Sequence, residues 1–471
     1  MRYRINYRTR LLSRITHGIL LINLIGTPFA HASIDADNGG NSFVGKEEWL
    51  FLRGEFPGDN DEATTGTSMN LIRRFNKVLA NNGITLAFTM VPLKARIYEK
   101  YLPDDAKMSA YMNENSDRKV NTLRAGQVNV IDLNGPFLNS PLRNSAPPLF
   151  FRLDTHWTPA GAMLAAESIR AGIDTNPVLK KAMEAAPEVK FNMTWAKHKI
   201  NSTIRAQIEG LPKGSPTFAA EQVLPFSVVK EQAGGNLLGE GVDPVITLLG
   251  TSYSGPFYGF SDALRYTLQR DVLTVWVSNT QGSWVGMESY LRDDSFQTKR
   301  PKLLIWEMPE RSMDTPPDYK YRDARFQSDN TEWLLRASAW IQGSCTPSQI
   351  TAKIIGGGLV TGETDSVSAG KTTDRDFIEL RFNKPVEKLD YLVANAATNG
   401  SKKLVLEASG DGVETRWIDV PVPGNGAEHV FKAPLPSDGK GYTKLRIYPG
   451  KSSAFTFKGL QVCRQPEDLL L

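Results

Sequence analysis

Val245-Ile-Thr-Leu-Leu-Gly-Thr-Ser-Tyr-Ser254 is an apolar run of strand length that ends in glycine and passes straight into hydroxyl residues. Its length and composition predict a strand buried on both faces, as in a parallel sheet covered by helices. In such sheets the chemistry gathers beyond the carboxyl ends of the strands. Thr251 and Ser252 stand at that end. A serine there has two readings: the N-cap of the next helix, or a nucleophile with helix-start amides beside it as an oxyanion hole. A base within reach decides between them.

The flanking sequence repeats the pattern. Leu71, Ile72, Phe75, Val78 and Leu79 recur at helical spacing, Gly83 stops that helix, and Ile84-Thr-Leu-Ala-Phe-Thr-Met-Val91 follows as a strand. Further strands are expected at Val128-Asn-Val-Ile-Asp-Leu133, Leu149-Phe-Phe-Arg152, Asp271-Val-Leu-Thr-Val-Trp-Val277 and Lys302-Leu-Leu-Ile-Trp306, with a helix opening at Thr158-Pro159. Strands alternating with helices predict an α/β domain over 33–343 with a mostly parallel sheet. After Cys345 the pattern changes to short alternating runs, among them Phe377-Ile-Glu-Leu-Arg-Phe382, Lys403-Leu-Val-Leu-Glu407, Arg416-Trp-Ile-Asp-Val420 and Lys444-Leu-Arg-Ile-Tyr448, separated by Gly, Asn, Asp and Pro. That spacing predicts a β-sandwich over 344–471.

The candidate base is found among five histidines. His17 and His31 lie near the N-terminus, His198 sits between two lysines, and His429 falls in the expected sandwich. His156 lies in Phe150-Phe-Arg-Leu-Asp-Thr-His-Trp-Thr-Pro159, two residues after Asp154 and just past an expected strand. A carboxylate so placed can accept the Nδ1–H of the imidazole, fixing its tautomer and leaving Nε2 to take a proton. Asp-x-His alone is a common spacing. Paired with a serine at a second strand end, it forms a candidate triad of Ser252, His156 and Asp154.

Composition agrees with a folded, exported protein. The 471 residues suggest two or three domains, and 41% hydrophobic, 9% aromatic and 23% charged residues supply real cores, which excludes wholesale disorder, collagen and coiled coil. The formal charge is +4, yet Arg2, Arg4, Arg8, Arg10 and Arg14 precede any acid, and without residues 1–32 the chain has 50 Lys and Arg against 51 Asp and Glu. No basic surface for nucleic acid is implied. The arginines, the apolar stretch from Ile19 to Ile25 and Ala30-His31-Ala32 read as a signal peptide over 1–32 with an A-x-A cleavage pattern, an uncleaved membrane-surface anchor being the alternative. The apolar run is too short to span a membrane, which takes about 20 residues. Export places the protein in the periplasm if the leader is bacterial. There, Cys345 and Cys463 most simply form one disulfide, closing a loop whose entropy is worth on the order of 4–5 kcal/mol.

Gly250-Thr-Ser252 resembles the nucleophile block of SGNH hydrolases, and Asp154-Thr-His156 their Asp and His block, in reversed order. That permuted order, with Glu48-Trp-Leu-Phe51, Asp154-Thr-His-Trp-Thr-Pro-Ala-Gly161, Leu249-Gly-Thr-Ser-Tyr-Ser-Gly-Pro-Phe-Tyr258, Leu304-Ile-Trp-Glu307 and a downstream sandwich, resembles the AlgX and AlgJ alginate O-acetylation family. The resemblance implies an SGNH hydrolase-like domain, Ser252 as acyl nucleophile, His156 as base and acid, Asp154 as its orienting partner and Tyr258 as an aid to the oxyanion hole. It implies no cofactor or metal, and none is suggested by a His/Cys/carboxylate cluster or phosphate loop. It also implies a membrane-bound O-acyltransferase as acetyl donor, a polysaccharide biosynthesis and secretion complex, and an alginate-like anionic polysaccharide as substrate. The competing readings are a carbohydrate esterase with the same triad and a non-catalytic polysaccharide-binding scaffold.

The sequence departs from the family in lacking any cysteine before Cys345 and in lacking a Lys-x-Thr-x-Trp pattern in the sandwich. Candidate polymer contacts are therefore Arg416 and Trp417, with Lys402 and Lys403, because an anionic chain needs cations and a flat ring stacks on sugar faces. Trp417 as plain packing is the alternative. Lys94 and Arg96, just after a strand, and Trp157, Trp284 and Trp306 are candidate groove residues. Solvated loop edge and core are their alternatives.

Overall fold

The computed structural model describes residues 40–469 apart from 57–60, 203–209, 212–213, 232–244, 278–280, 323–325 and 436–440; the expected leader, 1–32, lies outside the described residues. The chain divides into two compact units. One takes the chain up to Asn76, Gly83–Tyr290 and Thr298–Phe326, and the other Lys77–Asn82, Leu291–Gln297 and Gln327–Leu471.

The first unit is built on five strands, β1 (Thr85–Val91), β2 (Asn129–Ile131), β3 (Ile246–Gly250), β4 (Val272–Trp276) and β5 (Leu303–Pro309), in the order β4-β3-β5-β1-β2. Every neighbouring pair is parallel. Each residue of β3 and β5 is buried, which explains why these strands read as continuous apolar runs. Helices α1 (Glu62–Asn81), α2 (Ala110–Ala125), α3 (Pro159–Thr175) and α4 (Phe260–Leu268) alternate with them. Gly83 follows α1 in the left-handed region, at φ 74°, the conformation that suits glycine.

One expected strand is absent. Residues 149–152 make only an isolated bridge between Phe150 and Trp157. Their backbone groups bond instead to the loop they enter: Thr158 N–H donates to Leu149 O at 2.9 Å and Phe151 N–H to His156 O at 2.9 Å. A tight turn thus carries 154–156, and α3 begins at once behind it. Thr158 caps α3, with Pro159 in the first turn. Gly161 permits the close approach, because a Cβ there would lie 2.1 Å from Leu149 O.

The second unit opens with α5 (Asn330–Ile341), capped by Asp329, and continues as nine strands: β6 (Ala352–Gly356), β7 (Ser366–Ala369), β8 (Ile378–Val386), β9 (Asp390–Thr398), β10 (Lys403–Gly410), β11 (Val413–Pro421), β12 (His429–Pro434), β13 (Tyr442–Tyr448) and β14 (Phe455–Arg464). They form two antiparallel sheets, β6-β8-β13-β10-β11 and β7-β14-β9-β12, the expected sandwich. Cys345 and Cys463 are joined, with Cα atoms 5.2 Å apart, so the disulfide ties the entry of the sandwich to β14.

Candidate active site

Two loops meet at the carboxyl end of the parallel sheet. The first, after the turn at 149–152, carries Asp154 and His156; the second, after β3, carries Ser252 in a short turn, Ser252–Ser254. Asp154 is fully buried, and its Oδ1 lies 2.5 Å from His156 Nδ1 while accepting the His156 backbone N–H at 2.9 Å. His156 Nε2 lies 2.8 Å from Ser252 Oγ. With Nδ1–H donating to the carboxylate, Nε2 accepts from the serine hydroxyl, the arrangement a general base requires. Burial alone raises the Asp154 carboxyl. The hydrogen bonds and charge of His156, together with the charge of Lys94, outweigh it and hold Asp154 below the usual carboxylate range, so it stays ionised.

The imidazole is boxed by two rings. Tyr258 stacks on it with centroids 4.4 Å apart and planes 13° apart, and Tyr253 leans against it at 4.6 Å. Burial, with Asp154 and Tyr253 nearby, raises the Tyr258 phenol and keeps it protonated. Its hydroxyl has no hydrogen bond among the described residues. Tyr253 is pushed up to about 12, chiefly by burial, and its hydroxyl donates to Thr155 O at 2.8 Å.

Each loop has a buried charged brace. Glu307, at the end of β5, accepts the Thr251 N–H, the Thr251 hydroxyl and the Ser254 hydroxyl, each at 2.8 Å. These bonds bracket Ser252 on both sides. Gly250 makes room for them, since a Cβ there would lie 1.9 Å from Ser254 Oγ and 2.6 Å from Glu307 Oε2. Burial raises the Glu307 carboxyl despite the three bonds. The other brace is Lys94, whose Nζ donates to the carbonyls of Leu50, Arg152 (3.0 Å) and Asp154 (2.9 Å). Burial lowers this ammonium to about 8, against the raising charges of Glu55, Glu221 and Asp154. The sequence flagged Glu307 only as part of a motif and gave it no role; its signal was a lone acid inside an apolar strand.

Lys94, Arg96 and Trp157 do not line a substrate groove. Lys94 is 1% exposed because its ammonium is consumed by backbone carbonyls. Arg96 is buried against Glu310, its Nη1 and Nη2 lying 2.6 and 2.7 Å from the two carboxylate oxygens. Trp157 is fully buried and donates its indole N–H to Tyr253 O at 3.1 Å, clamping the two loops together. Trp284 and Trp306 are core as well, packed edge to face at 5.6 Å. In the second unit Arg416 is half-buried and ion-paired to Glu332 on α5, whereas Trp417 is 59% exposed, with its ring 5.8 Å from that of Tyr448. Lys402 is exposed, and Lys403 pairs with Asp419 at 2.6 Å. Among the described residues no group of three or more His, Cys, Asp or Glu is placed to hold a metal ion, and no helix is long and apolar enough to cross a membrane.

A family model described as an SGNH hydrolase-like domain, acetyltransferase AlgX, matches residues 43–310. The chain belongs to the AlgX family. The match contains both site loops. Among AlgX-family relatives, the probable alginate O-acetylase AlgJ of Pseudomonas syringae pv. tomato is 30% identical over 282 residues, covering 57% of this chain and 68% of that protein. The alginate biosynthesis protein AlgX of Azotobacter vinelandii is 28% identical over 363 residues, covering 73% and 69%. Among solved structures, Pseudomonas aeruginosa AlgX superposes with a TM-score of 0.63 at 18% identity, covering 91% of this chain and 96% of that one. The O-acetyltransferase domain of Pseudomonas putida AlgJ gives 0.52 at 24%, covering 63% and 99%. These superpositions carry the fold of the AlgX family.

Proposed function

We propose that this protein is a polysaccharide O-acetyltransferase that works through an acetyl-Ser252 intermediate, and that its acceptor is alginate in the periplasm. One observation carries the reading: Ser252 Oγ, His156 and Asp154 form an unbroken hydrogen-bonded relay, with 2.8 and 2.5 Å links, across two loops of an AlgX-family domain. The relatives named as alginate O-acetylases support the acceptor. The expected leader and the disulfide support an oxidising compartment outside the cytoplasm. Sites grafted on one fold differ in chemistry, so the relay rather than the fold bears the weight.

In the first step Ser252 Oγ attacks the donor's acetyl carbonyl while His156 Nε2 takes the hydroxyl proton. The tetrahedral oxyanion is held by the Ser252 backbone N–H with help from Tyr258. The C–O bond to the donor alcohol then breaks, and His156 returns the proton to that leaving oxygen. In the second step His156 takes the proton of a sugar hydroxyl, which attacks the acetyl-serine ester; Ser252 leaves and regains a proton. Asp154 keeps the imidazole in its tautomer and stabilises the imidazolium in both steps. A membrane O-acyltransferase within a biosynthesis and secretion complex supplies the acetyl group. In the sandwich, the exposed ring of Trp417 offers a sugar-stacking face.

The test incubates purified protein with an activated acetyl ester and polymannuronate oligosaccharides and reads the sugars by mass spectrometry. Acetylated oligosaccharide is expected from the wild type and none from Ser252→Ala. Acetate release with unmodified sugar would show water to be the acceptor, an esterase. Activity that survives Ser252→Ala overturns the mechanism.

A further inference from the structure

We propose that a pocket lined by Arg152, at the start of the Asp154 loop, is a carboxylate-selective sugar subsite, holding a uronate residue of the acceptor chain other than the one being acetylated. The inference rests on the acceptor assigned above. The pocket has a volume of about 150 Å³ and is lined by Trp49, Tyr101, Arg143, Asn144, Arg152 and Glu221, among others. A cavity of this size accommodates a single six-membered ring. None of these side chains hydrogen-bonds to Ser252 or His156 among the described residues.

The lining suits an acidic sugar in three respects. Trp49 and Tyr101 stack on each other at 4.5 Å with planes 11° apart, so the edges of the pair give the pocket a rigid apolar wall beside which the C–H groups of a pyranose can lie. Two guanidiniums flank that wall, each fixed at one end and open at the other. Arg143 spends Nε on Ile97 O (2.7 Å) and Nη1 on Leu138 O (3.1 Å), and its Nη2 has no partner among the described residues. Arg152 contacts Glu48 Oε2 (3.2 Å) and Glu47 O (3.4 Å) through Nη1, and its Nε and Nη2 have none. Anchored guanidiniums with unused N–H groups are prepared for a carboxylate, because little side-chain freedom remains to be lost on binding. The one lining carboxylate does not oppose this. Both oxygens of Glu221 are engaged by the backbone N–H groups of Arg152 and Leu153, at 2.6 and 2.7 Å, and Lys94 and Arg152 lie close enough to offset its charge.

The placement gives the subsite a role in register. Arg152 lies two residues before Asp154, and both backbone carbonyls are held by Lys94. A uronate gripped here ties the polymer to the loop that carries the acid–base pair. Neighbouring sugar hydroxyls are then presented at fixed spacing from Ser252.

The experiment compares oligomannuronate with the same oligosaccharide after reduction of its carboxylates to alcohols. It uses wild type, Arg143→Gln and Arg152→Gln, the second variant giving up one 3.4 Å backbone contact, to Glu47 O, where the first gives up two shorter ones. In acetyl transfer, wild type is expected to show a KM about tenfold lower for the uronate form, the scale of one charge-assisted hydrogen bond. Each variant is expected to bring that ratio toward one through KM. The ratio cancels any polymer affinity elsewhere in the chain, including the sandwich. Calorimetric titration of the same oligosaccharides into Ser252→Ala forms of all three proteins reads the ratio without turnover. Transfer failing while the binding ratio responds to the arginines refutes the acetyltransferase reading and keeps the pocket. Ratios equal in wild type and both variants overturn the pocket. So does acetate alone competing as well as the uronate chain, which would make it a site for an adventitious small carboxylate only.

Discussion

The two loops that meet at the Ser252–His156 bond are braced in opposite ways. The Ser252 loop turns N–H and hydroxyl groups toward the interior and is held by a buried acceptor, Glu307. The Asp154–His156 loop turns carbonyls inward and is held by a buried donor, Lys94. Each inner group answers the polarity that its loop presents, since a buried polar backbone left unpaired costs about 1–3 kcal/mol per group. A site that must hold two loops to a fraction of an ångström thus spends two buried charges away from the reacting atoms.

The comparison is broken most severely at the point where the loops touch. Ser252→Ala and His156→Ala are each expected to lower kcat by about 10⁴–10⁶-fold, and the double variant by no more, because the pair acts as a unit. Additive losses would show that the loops work independently. Next comes Glu307→Ala, which strands three buried donors; an expected fall of about 2–4 kcal/mol in unfolding free energy and about 10²-fold in kcat is read by denaturant titration and steady-state kinetics. Wild-type stability with normal kcat would remove Glu307 from the brace.

Lys94 sharpens the contrast through pH. Its ammonium, lowered to about 8 by burial and faced by Glu55, Glu221, Asp154 and Arg152, is lost above that pH, and a neutral amine has too few N–H groups for the carbonyls it serves. Activity should therefore fall above about pH 8. Stability should move the other way: the unfolded chain holds this proton up to the ordinary lysine value of 10.5, so the group's contribution to stability rises between about 8 and 10.5. Lys94→Met should lower kcat about tenfold at neutral pH and abolish the alkaline limb. A limb that survives in Lys94→Met assigns it to another group. The smallest effect belongs to Thr251→Val, which removes one of the two bonds from that residue to Glu307 and should cost about 1 kcal/mol.

These braces mark where the sequence ceased to be readable. Apolar runs ending in Gly-Thr-Ser and the Asp-Thr-His spacing pointed to both loops, only the first of which follows a strand, since period and composition report burial and turn chemistry directly. The alternating runs after Cys345 likewise marked the sandwich. Lys94 and Arg96 read as candidate substrate contacts or a solvated edge because a cation just past a strand usually stands at the surface. What inverts that rule is a set of carbonyls gathered from residues 50, 152 and 154, a convergence invisible along the chain. The strand expected at 149–152 failed for a related reason: its apolar side chains are buried, but its backbone partners are the loop just after it and scattered groups such as Tyr98 and Glu221 rather than the parallel sheet. For Trp417, alternation left both core and solvent open until the strand's facing was known.

The link between Cys345 and Cys463 spans 118 positions of sequence and encloses nearly all of the sandwich. A protease that nicks any surface turn between them produces two fragments that remain one molecule until a reductant arrives. Such damage would leave the severed part of the sandwich attached to the rest of the chain. On a gel, the cut would be visible only in the reduced lane.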